Sequence, residues 1–141
     1  MKLGAVKHKD SIVLDELFYP SGETIIDEVT GEKVTFEVYS PKAKEYRHRA
    51  ADLSRELATE QKRRHKRAEN SGYTYDELEA AEDILRRQAA IKLKSWTGVR
   101  DADGEILECT PENAARVFAD HDYAQRQVDV AHNDQAAFFE K

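Results

Sequence analysis

Cysteine, proline and tryptophan are scarce in this sequence, which has one cysteine, three prolines and one tryptophan among 141 residues. A lone cysteine cannot form an internal disulfide, so the fold is not predicted to depend on an oxidising compartment. No apolar run approaches the ~20 residues of a membrane span, and residues 1–10 lack a signal-peptide pattern. We therefore expect a soluble protein that does not enter a membrane.

The motifs of the common catalytic and cofactor sites are also missing from the sequence. It contains no glycine-rich phosphate loop, no Walker lysine motif and no paired Cys/His pattern of a zinc site. The single Cys109 lies beside a helix cap, where an inert, partly buried thiol is the default expectation. We therefore predict a protein that is not an enzyme, with no catalytic, cofactor-binding or metal-binding residues.

Charge is what the sequence has in abundance, and its distribution is uneven. Charged residues make up 35% of the chain and the formal net charge is −6. Between positions 42 and 67, ten Lys/Arg stand against four Asp/Glu, which gives +6, so the remainder carries −12. A positive rod on an acidic body can be self-complementary or can present two surfaces to different partners.

The order of the patterns predicts one mainly α domain, with a small N-terminal β-hairpin packed on a bundle of two long and two shorter helices. Val34, Phe36 and Val38 alternate with polar residues, as in a half-buried strand, and Gly31 suits a hairpin loop. The predicted segments are an irregular arm (1–22), the β-hairpin (23–39), an αα-hairpin (40–95), a hinge (96–110) and a C-terminal helical pair (111–141).

Three pairs of residues support the predicted helix boundaries. Ser40-Pro41 and Thr110-Pro111 each combine an N-cap residue with proline at the first helical position. Thr74 and Glu77 have the spacing of a capping box for the second long helix. That helix is predicted to run to Ser95, so the αα-hairpin has two antiparallel helices of more than twenty residues.

The hinge between the helical layers is predicted from its turn residues. Trp96 closes the incoming helix, and Gly98 offers the left-handed conformation that chain reversal after a helix usually needs. Residues 101–104, Asp-Ala-Asp-Gly, predict a turn in which Asp accepts local backbone hydrogen bonds. A calcium loop is disfavoured, because placing Gly104 at its sixth position puts Val99 and Thr110 where carboxylates are required.

The histidines offer an alternative, enzymatic interpretation of the C-terminal helices. His121-Asp122 and His132-Asn133-Asp134 could meet in space as an acid–base or metal cluster, as in a metal-dependent hydrolase. Solvated polar helix positions explain the same residues without a site. Asp122 is also predicted to cap the last helix.

The basic run near the end of the first long helix is the second alternative. It comprises Lys62, Arg63, Arg64, Lys66 and Arg67. Such residues could follow a phosphate backbone, in a nucleic-acid-binding or virion structural role. The charges, however, point all round the helix, no aromatic residues are interleaved for base stacking, and the protein as a whole is acidic. The pattern favours a solvated helix end or a site for an acidic protein.

Aromatic residues concentrate at the hinge and in the C-terminal helices. Phe138 and Phe139 are adjacent and cannot both face one side of a helix, so one is expected to be exposed or covered by another chain. The predicted partner-binding residues are Trp96, Phe118, Tyr123, Val130, Phe138 and Phe139.

The hinge and the C-terminal residues resemble the tail assembly chaperones of long-tailed (siphovirus-type) bacteriophages. The resemblance rests on the following stretches: Trp96-Thr97-Gly98-Val99, Asp101, Asp103-Gly104-Glu105, Thr110-Pro111-Glu112-Asn113, Gln127-Val128 and Phe138-Phe139. Tyr39-Ser40-Pro41 and Tyr46-Arg47 also fit, so the similarity covers residues 30–141. The basic helix end and the N-terminal arm depart from the family pattern.

The resemblance implies a non-enzymatic role in virion assembly. Proteins of this family bind the tape measure protein, keep it soluble and help tail-tube subunits assemble around it. The implied partners are therefore the tape measure protein, the tail tube protein and further copies of the chain, in the host cell cytoplasm. We expect the aromatic hinge and last helix to contact the client, with the basic helix end as an electrostatic aid.

Overall fold

The computed structural model describes residues 7–71 and 77–140. Within these ranges the chain forms five helices and two small antiparallel sheets. The helices are α1 (Lys44–Ser71), α2 (Glu77–Ala90), α3 (Pro111–Asp120), α4 (Asp122–Asn133) and α5 (Gln135–Phe138). The strands are β1 (Lys7–His8), β2 (Ser11–Leu14), β3 (Thr35–Tyr39), β4 (Leu93–Thr97) and β5 (Phe139–Glu140).

The three-stranded sheet has β3 at its centre, between β2 and β4. Ile12 lies opposite Val38, and Phe36 lies opposite Trp96. The predicted alternation holds up to Val38, because Val34 just before β3 and Phe36 and Val38 within it are buried, but Tyr39 on the predicted polar face is buried as well. Together with Leu93 of β4, the three apolar side chains belong to the core.

The predicted β-hairpin over residues 23–39 is only partly correct. Its turn exists: Gly31 has φ of +74°, and Asp27 N–H donates to the Glu32 carbonyl at 2.8 Å. Before β3 the two arms meet in a single isolated bridge, between Ile26 and Lys33. Because β3 uses one edge for β2 and the other for β4, no edge of β3 remains for residues 23–29.

The N-terminal arm was wrongly predicted to be irregular from end to end. Residues 11–14 form an outer strand of the sheet, and residues 7–8 pair with β5 near the other end of the chain. Lys9 N–H donates to the Phe138 carbonyl at 2.8 Å, next to this two-stranded pairing. The partners of both short strands are distant in sequence, which is why local periodicity did not indicate them.

For the predicted αα-hairpin, the length of more than twenty residues is confirmed for α1, which has 28. The second helix, α2, is shorter than predicted: it has 14 residues and ends at Ala90. Residues 93–95, predicted to be the end of the second helix, form β4 together with Trp96 and Thr97 of the predicted hinge, since the free edge of β3 pairs with them. Arg87 of α2 joins the two helices through Glu60 at 2.6 Å and Glu56 at 2.8 Å. The predicted capping box includes Thr74, which lies outside the described residues.

Of the predicted helix starts, that of α3 is confirmed, whereas those of α1 and α4 differ from the prediction. Thr110 Oγ1 accepts the Asn113 N–H at 3.1 Å, with Pro111 at the first position of α3, as predicted. Ser40 instead forms a turn, in which its hydroxyl accepts the Lys42 N–H at 3.1 Å, and α1 begins later, at Lys44. The residue that caps α4 is His121 rather than Asp122, and it makes no side-chain capping bond.

The core lies between the sheet and helices α2, α3 and α4. Its buried members include Val38 of β3, Ala90 of α2, Phe118 of α3 and Val128 of α4. The architecture is thus a mixed α/β fold in which helices predominate, rather than a helical bundle carrying a separate hairpin. Within the described part of the chain, every helix is too short or too polar to cross a bilayer.

Candidate binding cleft

An open cleft of 380 Å³ lies where three segments of the chain meet. Residues 17–34 form one wall, residues 98–104 of the hinge form the second, and the α3–α4 junction at residues 117–124 forms the third. Its apolar walls include Leu17, Ile25, Val34, Phe36, Val99 and Val117. The size is within the range of about 300–1,000 Å³ that is usual for ligand sites.

Gly98 lets two of these walls approach each other. Its φ is +80°, and a Cβ at this position would lie 3.2 Å from both Asp27 Cβ and Val34 Cγ2. The predicted left-handed conformation is therefore confirmed. The structural reason for this conformation differs from the predicted one. Gly98 follows strand β4 and packs against Asp27 and Val34, instead of reversing the chain after a helix.

A buried ion pair joins the same two walls. Arg100 Nε donates to Asp27 Oδ1 at 2.9 Å, and Arg100 Nη1 donates to the Gly104 carbonyl at 2.9 Å. Asp27 is 5% exposed. The Arg100 hydrogen bond holds the pKa of the Asp27 carboxyl below its usual value, against the opposing effect of burial. At neutral pH the pair is therefore charged on both sides and ties the 27–31 turn to the hinge.

The predicted Asp101–Gly104 turn is confirmed, and one oxygen of the Asp101 carboxylate accepts hydrogen bonds from the backbone. Asp101 Oδ1 accepts the N–H groups of Asp103 at 2.9 Å and Glu105 at 3.0 Å, and Gly104 has φ of +84°. This carboxylate shapes the hinge. Across residues 7–71 and 77–140, no group of three or more His, Cys, Asp or Glu side chains is placed to hold a metal ion.

Gln127 on α4 holds the wall formed by residues 17–19. Its side-chain oxygen accepts the Phe18 N–H, and its side-chain nitrogen donates to the Phe18 carbonyl, both at 2.9 Å. A single amide thus satisfies both backbone groups of Phe18, as a neighbouring strand would. The contact fixes a segment 109 positions away in sequence.

The rim of the cleft is aromatic and aliphatic. Tyr19 and Tyr123 lie with their ring centroids 5.7 Å apart, and the Tyr123 hydroxyl hydrogen-bonds His121 Nδ1. Tyr19 is 37% exposed, Ile26 46% and Val29 67%. Apolar surface therefore continues from the interior of the cleft onto its outer edge.

The three segments that line the cleft are strongly acidic. They contain eight Asp/Glu and two Lys/Arg, and eight acids less two bases gives −6 with histidine neutral. The acids are Glu23, Asp27, Glu28, Glu32, Asp101, Asp103, Asp120 and Asp122, and all except Asp27 are exposed. The electrostatic potential at the cleft is therefore negative.

The structure does not gather the six predicted partner-binding residues into one surface. Only Tyr123 lines the cleft. Trp96 is half-buried in β4, where its Nε1 donates to the Leu107 carbonyl at 2.7 Å. Phe118 and Phe138 are 1% and 2% exposed, so they are core residues. This corrects the prediction that they form a surface contact with a partner. Phe118 belongs to the main core cluster, with α3 packed on α2 and α4, and α5, which carries Phe138, contacts β2. The helical periodicity did not distinguish this burial from a client-facing stripe.

Val130 and Phe139 are exposed, but away from the cleft lining. Val130 on α4 is 71% exposed, and Phe139 in β5 is 46% exposed with its ring edge-on to His8 at 6.1 Å. As expected, one ring of the Phe138–Phe139 pair is exposed, although Phe139 lies in β5 and not in a helix.

The predicted basic patch lies on the distal half of α1, apart from the cleft. Lys62, Arg63, Lys66 and Arg67 are exposed, whereas Arg64 is half-buried. The hydrogen bond from Arg87 is the main reason that the pKa of Glu60 is lowered, and Arg64 and Arg63 lower it further. Arg63 and Arg64 of the patch thus stabilise the charge of a carboxylate that links α1 to α2.

The histidine and cysteine candidates have structural surroundings. His132 is 4% exposed, its Nδ1 lies 2.8 Å from the Tyr39 carbonyl, and burial lowers its pKa. A neutral ring that donates to this carbonyl accounts for its position. His121 bonds Tyr123, so the two histidines do not form the suggested cluster. Burial raises the pKa of the Cys109 thiol to about 11, which keeps it protonated and unreactive at neutral pH.

The residues that build the cleft were mostly not among the sequence candidates. Asp27, Arg100, Tyr19, Ile26 and Val29 were missed, because their roles depend on contacts between distant segments. Gly98 and Asp101 were singled out as turn residues as well as by the resemblance, and Gln127 by the resemblance alone. Comparison with known proteins gives no match to any family model, curated protein or solved structure.

Proposed function

We propose that this protein is a tail assembly chaperone of a long-tailed bacteriophage. In this role it binds the tape measure protein and keeps it soluble while tail-tube subunits assemble around it, in the host cell cytoplasm and without catalysis. The proposal begins from the resemblance of residues 30–141 to that family.

The observation that carries the proposal is where three residues of the family pattern lie. Gly98 allows the 27–34 turn to approach the hinge, Asp101 shapes the hinge, and Gln127 holds the backbone of Phe18. Each supports a different part of one open, apolar cleft. These three residues come from separate parts of the pattern, and their convergence on one cleft supports a binding role for it.

A cleft of this kind suits a long helical client. Before a tail tube encloses it, such a client exposes apolar stripes, and a groove with an aromatic rim can cover them. One cleft covers only a short stretch of a long helix, so many copies per client are required. Weak, repeated contacts and self-association of the chaperone are part of the proposal.

The test is co-expression of the chain with the longest helical protein encoded near it, followed by affinity purification of the soluble fraction. A stoichiometric soluble complex is expected, and the same client expressed with an unrelated small acidic protein should remain in the pellet. A client that stays insoluble and unbound in the presence of this chain contradicts the proposal.

A further inference from the structure

We infer that the cleft accepts an amphipathic helical segment whose apolar side chains are flanked by lysine or arginine. The inference rests on the proposed function for the identity of the client, and on the geometry of the cleft for the client's chemistry. It assigns binding to the acidic cleft and not to the aromatic set of the C-terminal helices or to the basic helix end.

The apolar surface is too extended for a small ligand alone. The cleft interior is continuous with Ile26 and Val29 on the 25–30 turn, which are 46% and 67% exposed. Both side chains line the cleft and are still largely exposed, so a small molecule seated between the walls would cover only part of their surface. A protein segment can fill the interior and cover the turn at once, which removes more apolar surface from water.

The charge of the cleft selects the flanking residues of that segment. Asp27 and Arg100 neutralise each other, so the remaining charged side chains of the lining are the carboxylates of Glu28 and Asp101. Exposed acids at positions 103, 120 and 122 extend the negative region. Lysine and arginine fit such a rim, because their stems cover apolar surface while their charged ends meet the carboxylates.

The backbone of the walls favours a helix over an added β-strand. Strand addition needs unpaired backbone groups along an edge. Here the N–H groups of Val29 and Gly31 are bound by Asp27, and Val34 N–H is bound by the Ile25 carbonyl. On the hinge, Asp101 takes the N–H groups of Asp103, Gly104 and Glu105. Recognition in the cleft therefore relies on side chains, as in the binding of a helix to a groove.

The basic end of α1 from a second copy is a poorer occupant. It has the complementary charge, but residues 61–67 contain no apolar side chain that could fill the cleft. A different protein, with apolar residues among its basic ones, satisfies both features.

The first test uses synthetic helical peptides of about 18 residues, long enough for partial helicity when bound. One peptide carries a leucine stripe with lysine on its polar face, the second the same stripe with glutamate, and the third alanine in place of leucine with lysine retained. Binding of each labelled peptide to the full chain is measured by fluorescence anisotropy at physiological salt. The leucine–lysine peptide should bind at least about tenfold more tightly than either of the others, a difference of ~1.4 kcal/mol.

Matched variants locate the binding. Ile26→Ser with Val29→Ser should weaken the leucine–lysine peptide about tenfold, because both exposed side chains border the cleft. Leu85→Ser with Val130→Ser removes two similarly exposed apolar side chains elsewhere and should leave affinity unchanged. Glu28→Gln with Asp120→Asn should weaken binding about threefold, because Glu28 lines the cleft and Asp120 directly precedes the lining residue His121. Glu69→Gln with Glu82→Gln should leave affinity unchanged, since neither residue lines the cleft.

A second measurement does not depend on how the variants fold. In the unmodified chain, amide NMR shifts within residues 26–31 and 98–104 should move on addition of the leucine–lysine peptide. Equal affinity for the glutamate peptide, equal losses in the control variants, or shift changes confined to α1 would each overturn the inference.

The inference and the proposed function fail in different ways. If the wild-type chain and the Ile26→Ser, Val29→Ser variant solubilise the tape measure protein equally, the cleft is not its binding site and the chaperone role stands. If the leucine–lysine peptide binds in the cleft but the client remains insoluble, the cleft assignment stands and the chaperone role is wrong.

Discussion

The cleft and the distal half of α1 carry opposite charges and differ in how they are built. The cleft joins three segments through the Asp27–Arg100 pair, the packing of Gly98 and the amide of Gln127. The distal part of α1 is a single helix whose nearest partner is α2, linked to it through Arg87. The basic region also borders a cavity, which lies between α1 and α2 and includes Leu57 and Ile84 in its lining. Charge alone is thus a poor guide to a binding site, because the two regions differ mainly in how many distant segments form the apolar surface beside the charges.

Among the variants of the two regions, we expect the largest effect from removing Trp96, whose ring packs on the cleft residue Phe36. Trp96→Ala is expected to cost about 3–4 kcal/mol of unfolding free energy, because the ring packs on Phe36 and its Nε1 bonds the Leu107 carbonyl. Trp96→Phe keeps the ring contact and should cost ~1 kcal/mol, the typical value of one hydrogen bond. Urea unfolding provides the measurement, and a loss under ~1 kcal/mol for alanine would make Trp96 a surface contact.

A pair of glycine variants separates close packing from backbone conformation. Gly98→Ala is expected to cost about 2–3 kcal/mol, because φ is +80° and the new Cβ meets Asp27 and Val34 at 3.2 Å. Gly104→Ala has a similar φ of +84° but open space around the Cβ, so ~1 kcal/mol is expected. Equal losses in thermal or urea unfolding would mean that the contact between the turn and the hinge contributes nothing.

Arg87 tests how firmly the basic helix is attached to the body. Arg87→Ala should cost roughly 1 kcal/mol, since its side chain is 20% exposed and spans Glu56 and Glu60, and the cost should shrink at high salt. Arg55→Ala is the matched control, because this residue is 73% exposed and pairs only locally with Asp52. A loss for Arg87→Ala no greater than the control's would show that α1 is held by other contacts.

Neutralising the basic helix end should have the smallest effect on stability. Lys62→Gln, Arg63→Gln and Lys66→Gln combined should change the unfolding free energy by less than ~0.5 kcal/mol, as these side chains are exposed. The same variant tests the alternative role of this region. Wild-type binding to single-stranded DNA that falls steeply with salt and is lost in the variant would support nucleic-acid recognition there.

The helices and turns were predictable where a local pattern determines them. The Thr110-Pro111 start, the Asp101–Gly104 turn and the long α1 depend on residues close together in sequence. The sheet was not predictable in the same way, because β3 takes its partners from positions 11–14 and 93–97. The helical period of residues 84–95 continued past the true end of α2, and pairing with β3 overrode it.

The contacts that form the cleft were even less predictable from local sequence patterns than the sheet. Gly98 and Asp101 are conspicuous as turn residues, and Gln127 stood out only through the family pattern. The Asp27–Arg100 pair joins residues 73 positions apart, and each looks like an ordinary surface charge in the sequence. No local periodicity distinguishes an acid that is buried against an arginine from the many acids that remain in water.

The pairing of β1 with β5 has a consequence for the order of folding during synthesis. His8 lies opposite Phe139, Lys9 binds the Phe138 carbonyl, and the Phe138 ring is buried. The first of these strands leaves the ribosome more than a hundred residues before its partner exists. In a nascent chain the part of the core that Phe138 fills is therefore empty until residues 138–140 emerge. Only then can the whole domain fold cooperatively. Translation that stops before Phe138 should yield a protease-sensitive chain in which the cleft walls are already present but the body that supports them is not closed.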